Sequence, residues 1–274
     1  MIYVGVDHGT TAMRFTALFE GTHEPVNLEI LRTDAAAMSG EQIISALEKS
    51  FGVGKEDIGL IAVTYSMGDG ITAIEDIHTV QHRGVQSIEG AGQKTGGGSK
   101  VFDAILNSGI PAVVIPGIHE GSNTDPRMNI FSHSTSPEKI GIAYHAFCKG
   151  SQDFVLSDIS SNTVTLGVAQ GRIIGAIDAC IFAPGLRHGP LDVRAIREVD
   201  KGQKSANEAF TNTGVLKRAG YSDRQELIDA ADRKEPKALL ALDTLALFAA
   251  MEIASMQVLL KDYGVHGIVF IEGS

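Results

Sequence analysis

The sequence predicts an α/β protein made of two similar halves, with a boundary near Gly150. Three observations carry that reading. Residues 2–19 set out an apolar strand, a small-residue turn and an alternating returning strand. From Asp153 the pattern restarts: Phe154 to Ile159, the polar turn Ser160-Ser161-Asn162-Thr163, Val164 to Val168, a Gln170-Gly171 turn and Arg172 to Ile177. In each half, strands alternate with helical patterns, and such recurrence marks a repeated α/β unit. With 274 residues, 43% of them hydrophobic, the chain can bury a core in both halves.

Taken in order, Ile2 to Val6 is β-branched or small, and Gly9 lets the chain reverse into Phe15 to Phe19. At the strand end, the amides and hydroxyls of Asp7-His8-Gly9-Thr10-Thr11 can surround an anion, and Asp7 can hold hydrated Mg2+. The residues alone leave open an ordinary hairpin with a polar turn. Pro25 to Leu31 reads as a third strand, and Ser39-Gly40-Glu41-Gln42 opens a helix with Ile43, Ile44, Leu47 and Phe51 at helical spacing. Gly59 to Tyr65 is a strand ending in Ser66-Met67-Gly68-Asp69-Gly70, a loop of the kind found at ligand-binding sheet edges. Residues 90–99 contain Lys94-Thr95 among glycines, but Gln93 replaces the glycine a Walker motif needs, so a surface loop is expected. Lys100 to Ser108 reads as a helix and Ile110 to Ile115 as a strand. His119, Glu120 and Asp125 lie in a turn-rich segment that fits no zinc template, and Ser136-Pro137 starts a helix running through Phe147.

In the second half, Phe182 to Asp192 clusters turn formers with Arg187 and His188 directly after an apolar strand. Packing does not explain that cluster. Residues 194–236 read as short helices, Lys237 to Lys261 as the longest helix, and Gly267 to Glu272 as a buried strand entering a turn at Gly273.

The 23 Lys and Arg against 33 Asp and Glu give a net charge of −10 with no basic cluster, which argues against nucleic acid and anionic membrane as partners. No basic leader precedes the first strand, and no apolar run is expected to reach a membrane span. Cys148 and Cys180 are expected to be buried thiols.

Several of these motifs resemble one superfamily. Asp7-His8-Gly9-Thr10-Thr11-x-x-Arg14 resembles the first phosphate motif of the acetate and sugar kinase, Hsp70 and actin superfamily (ASKHA). Asp158-Ile159-Ser160-Ser161-Asn162-Thr163 resembles its second phosphate motif, with Ser160, Ser161 and Asn162 in place of glycines. His82-Arg83-Gly84, Tyr144-His145-Ala146 and the Arg187 segment resemble acetate and butyrate kinase stretches, and Gly267 to Ser274 resembles the start of the adenosine motif. Asp7 to Thr11, Arg127 to His133 and Ala183 to Asp192 look specifically like the methanogenesis marker protein 12 family.

The resemblance implies duplicated ribonuclease H-like (actin-like ATPase) domains, residues 1–150 and 151–274, with mixed five-stranded sheets and a central cleft. It implies that family members continue past the adenosine strand. ATP and Mg2+ are the implied cofactors, with Asp7 on the metal and Gly9, Thr10, Thr11, Asp158, Ser160, Ser161, Asn162, Thr163 and Gly273 on the nucleotide. Arg187 and Arg83, with His145 and Asp7, are the implied catalytic set for transfer to a carboxylate-type acceptor. In acetate kinases the region after Ile115 supplies an aspartate near the magnesium; Pro116 stands there, and Asp125 is a distant substitute. The alternative is a non-catalytic, nucleotide-dependent assembly or regulatory factor. A methanogen's cytoplasm and a homodimer are further expectations of the resemblance.

Overall fold

The computed structural model describes residues 1–9, 11–22, 24–86 and 96–273. These form two compact units, Met1–Ile118 with Ser136–Glu138, and His119–Thr135 with Lys139–Ser274.

The first unit contains β1 (Ile2–Asp7), β2 (Ala12–Phe19), β3 (Val26–Leu31), α1 (Arg32–Ala37), α2 (Gly40–Phe51), β4 (Ile58–Val63), β5 (Glu75–Asp76), α3 (Gly97–Leu106) and β6 (Ala112–Val114). Its six-stranded sheet runs β3-β2-β1-β4-β6-β5. β1 is antiparallel to β2 and parallel to β4, in a register that sets Asp7 opposite Arg14. α2 forms where expected because Ser39 and Gln42 make a reciprocal capping box and Gly52 closes the helix in the left-handed conformation. Its Ile43 and Leu47 pack with Val4, Phe15, Ile61, Phe102 and Ile105 into one core.

β7 (Ile118–His119) and β8 (His133–Thr135) form a two-stranded ribbon, followed by α4 (Pro137–Cys148). Then come β9 (Phe154–Ile159), β10 (Thr163–Ala169), β11 (Arg172–Ile177), α5 (Val193–Asp200), α6 (Ala206–Phe210), α7 (Val215–Ala219), α8 (Arg224–Asp232), α9 (Pro236–Asp262) and β12 (Ile268–Glu272). The second unit's sheet runs β11-β10-β9-β12, with β12 parallel to β9.

That order repeats β3-β2-β1-β4 of the first unit, an antiparallel three-strand meander flanked by a parallel strand, as the recurrence in sequence led one to expect. The sheets hold six and four described strands rather than five each. The units also divide after Ile118 and not at Gly150. The cause lies in packing: Asp125 N–H donates to the Ile174 carbonyl, Arg127 reaches Asp262, and Ala143 of α4 joins Phe154 and Leu156 in a common core.

α9 corrects a second expectation, because its 27 residues are long and apolar enough, by length and composition, to cross a membrane. Here it packs along the second unit. Met256, Leu259 and Leu260 lie on Val155 and Ile174, and Ala238 and Ala241 on Val215 and Leu227. Both cysteines are exposed, contrary to expectation.

Candidate functional site

In the second unit the candidates collect at the carboxyl end of β9. Register sets Asp158 opposite Val164 of β10 and Glu272 of β12. Ser160, Ser161 and Asn162 therefore form the hairpin turn, and a Cβ on Gly273 would lie 3.1 Å from the Ile159 carbonyl oxygen. Asp158 is buried and ion-paired with the buried Lys139 of α4. Each charge compensates the other in a place where water cannot.

The segment Ala183 to His188 is clamped onto this turn. Leu186 N–H donates to the Ser160 carbonyl at 2.9 Å, and Arg187 and His188 N–H donate to that of Ser161 at 3.1 and 3.0 Å. The buried Thr163 hydroxyl donates to the Pro184 carbonyl at 2.8 Å, so it anchors the loop. At Gly185 only glycine fits, since a Cβ would run into the backbone of Ser161 and Asn162. From the other side Gly214 N–H donates to the Arg187 carbonyl at 3.0 Å. The His188 ring contacts the Asn162 side chain and stacks on Phe210 at 4.7 Å between centroids. Burial, chiefly, pushes His188 below the usual histidine range. The outcome is an arginine with a fixed backbone and an exposed side chain that has no ion pair or hydrogen bond among the described residues.

Behind the loop, Glu252 of α9 is fully buried and its Oε1 accepts the Ala183 N–H at 3.1 Å. Its Oε2 has no partner among the described residues. Burial pushes this carboxyl up to about 8, so it is largely protonated at neutral pH.

In the first unit, Asp7 Oδ2 accepts from Arg14 Nη1 at 3.1 Å, and Arg14 Nε donates to Glu29 at 3.2 Å. Gly9 and Thr11 follow in the hairpin; Thr10 lies outside the described residues. Arg32 N–H donates to the Thr11 carbonyl and Arg32 Nη1 to the Gly9 carbonyl, both at 3.0 Å. This half-buried guanidinium has no acidic partner among the described residues, and desolvation lowers its pKa.

The half-buried His8 stands against Tyr65, with ring centroids 4.9 Å apart, and its buried Nε2 lies where any side chain at Gly98 would go. Burial, with Arg32 nearby, pushes it down to about 4. The unfolded chain therefore binds more protons between pH 6.5 and about 4. Acidification through that window is expected to remove up to roughly 3 kcal/mol of stability. In His8→Phe, chemical denaturation at pH 4, 5.5 and 7 should show this contribution gone.

Arg83 Nε and Nη2 donate to the two oxygens of Asp103 at 2.8 and 2.9 Å, with the guanidinium 5.9 Å from the Tyr65 ring centre. Its φ of 60° is left-handed, a strained conformation for a side-chain-bearing residue. His8, Tyr65 and Arg83 thus form one row.

His145 is exposed on the last turn of α4 and is not brought to Asp158 or Arg187 by any contact among the described residues. It lies six residues after Lys139, about 9 Å along the helix and roughly 120° around it. Asp125 is held by Arg127 and accepts the Tyr263 hydroxyl at 3.0 Å, so it fastens the 119–135 segment to the end of α9. Among the described residues, no three His, Cys, Asp or Glu cluster as a metal cage. A magnesium ion carried on phosphates needs only one or two carboxylates. Asp7 fits that need, since its Oδ1 has no partner among the described residues.

Sequence reasoning missed Lys139, Arg32 and Glu252. For Glu252 a signal was present, an acid inside the apolar run of α9.

The two meander sheets define a class: the chain has the fold of solved acetate and propionate kinases. The chain aligns over 99% of its length with 82% of Porphyromonas gingivalis acetate kinase, at a TM-score of 0.65 and 14% identity. It aligns over 94% of its length with 80% of a Francisella tularensis propionate kinase, at a TM-score of 0.67 and 11% identity. Identities this low show the fold alone.

No protein-family model matches the chain. It belongs to the UPF0285 family of methanogens. It is 62% identical over 274 residues to the UPF0285 protein of Methanosarcina acetivorans, spanning all of this chain and 84% of that one. For the Methanocaldococcus jannaschii protein the identity is 47% over 267 residues, 95% of this chain and 79% of that one.

Proposed function

We propose that this protein binds ATP with Mg2+ and is an acyl-kinase-like phosphotransferase, as the resemblance to acetate and butyrate kinases implies, and that it acts in methanogen metabolism, as the resemblance to the marker protein 12 family implies. The unpaired side chain of Arg187, on a backbone clamped to the turn after Asp158, carries this reading. In phosphoryl transfer the chief demand on a protein is positive charge, held in place before the reaction, at the equatorial oxygens. Arg187 meets that demand. Arg83 is the second candidate, with its charge shared with Asp103. Asp7 would hold the metal; bound Mg2+ supplies charge neutralisation at the phosphates. Gly9, Thr10 and Thr11 are the phosphate-binding candidates of the first unit, and Ser160, Ser161, Asn162 and Gly273 the nucleotide-binding candidates of the second. Asp158 and Thr163 hold the turn in shape. A cytoplasmic homodimer with a carboxylate acceptor completes the reading.

One observation favours the alternative, a nucleotide-dependent assembly or regulatory factor without turnover. The turn at residues 160–162 lacks glycine, and its Ser160 N–H is donated internally to the Asn162 carbonyl at 2.8 Å. Fewer amides then face a phosphate.

ATP titration and phosphate-release assays on the chain and on Arg187→Ala test both readings. For the enzyme, turnover should fall on the order of 100-fold with binding nearly unchanged. Binding without turnover in the parent chain favours the regulatory factor. Absence of binding refutes both.

A further inference from the structure

We propose that the second unit carries a separate site for an anionic amphiphile, a single carboxylate or similar head on a compact apolar body. The site is the pocket between the Phe182 to Pro190 segment, α7 and the first half of α9. Its volume is about 370 Å³, within the range of small-molecule sites. An apolar cavity of ~150 Å³ holds benzene, so this one admits on the order of ten to fifteen non-hydrogen atoms.

The walls are mainly apolar, with Phe182, Pro184, Val215, Leu240 and Phe248 prominent, and the Phe182 and Phe248 rings stand 5.3 Å apart. Their electrostatics set them apart from the rest of the chain. Acids outnumber bases 33 to 23 in the sequence, yet no lining residue is acidic, and the two charged ones are Arg218 and Lys237. Arg218 is already compensated, since its Nη2 lies 3.0 Å from Asp192 Oδ2. Lys237 has no ion pair among the described residues.

The position of Lys237 sharpens the argument. It is the second residue of α9, whose first turn contains no acid. The helix dipole favours negative charge there and disfavours a cation. A lysine at this point does nothing for the helix, whereas an anionic head at the pocket mouth would pair with it while the apolar body enters between the phenylalanines.

The pocket also touches the candidate site from behind. Pro184 belongs to the loop carrying Arg187, and Val215 N–H donates to the Gly185 carbonyl at 3.0 Å. An occupant would therefore brace that loop without contacting nucleotide.

Isothermal titration of the full chain with decanoate below its micellar concentration tests the site, with 1-decanol as the uncharged control. Saturable one-to-one binding is expected, at least tenfold tighter for decanoate than for decanol. Lys237→Glu, on an exposed first turn, should weaken decanoate at least tenfold. Thr244→Phe should fill the pocket and abolish binding, with thermal melting of both variants showing that they fold. Equal affinity for the acid and the alcohol overturns the proposal, as does undiminished binding by Lys237→Glu or the absence of saturable binding. Nucleotide titration of the same samples is independent, so failure of the ATP reading would leave this site standing.

Discussion

Glu252→Gln is expected to stabilise the protein in neutral and mildly alkaline solution by roughly 3 to 5 kcal/mol. The folded carboxyl titrates at about 8 and an ordinary glutamate at 4.5, so between these pH values the folded state holds a proton that the unfolded chain releases. Stability from this group is intact below pH 4.5 and declines as pH rises through the window. Glutamine keeps an acceptor for the Ala183 N–H and carries no charge to desolvate. Urea unfolding at pH 5, 7 and 8.5 checks the sign, because variant and parent should nearly coincide at the lowest value and separate upward. Parallel curves across the range would show that Glu252 ionises without hindrance in the fold.

Lys139→Met should destabilise the second unit by about 3–5 kcal/mol, because it strands the Asp158 carboxylate in a buried position. An apolar side chain fills the space but cannot answer the charge. Adding Asp158→Leu removes the orphan, and the double variant should recover most of the loss. Calorimetric melting of the two single variants and the pair gives the coupling directly. Additive losses would mean that the two side chains do not act on one another, and the account of Asp158 as a braced residue would fail.

Much of the architecture could be read from local pattern. The hairpins of β1–β2 and β9–β10 are visible as alternating apolar strands around polar turns, and α2 carries its own start and stop in Ser39 and Gly52. The division after Ile118 was not legible, because what assigns residues 119–135 to the second unit is contact with Ile174 and Asp262, remote in the chain. Arg187 was legible as an oddity among turn formers. Its clamping by Ser161 and Gly214 was not, since backbone hydrogen bonds between distant loops leave no trace in side-chain pattern. The pairing of Lys139 with Asp158 was hidden because the two side chains meet only when α4 packs beside β9, and Thr163, expected on phosphate, is a loop anchor because its hydroxyl finds the remote Pro184 carbonyl.

The grip of Asn162 on His188 bears on any attempt to redesign this protein. Placing a glycine triplet at residues 160–162 would delete the side chain that holds His188, the neighbour of Arg187. A graft that replaces this turn should therefore exchange both segments together, as a single cassette, or the recipient will keep the arginine and lose its aim.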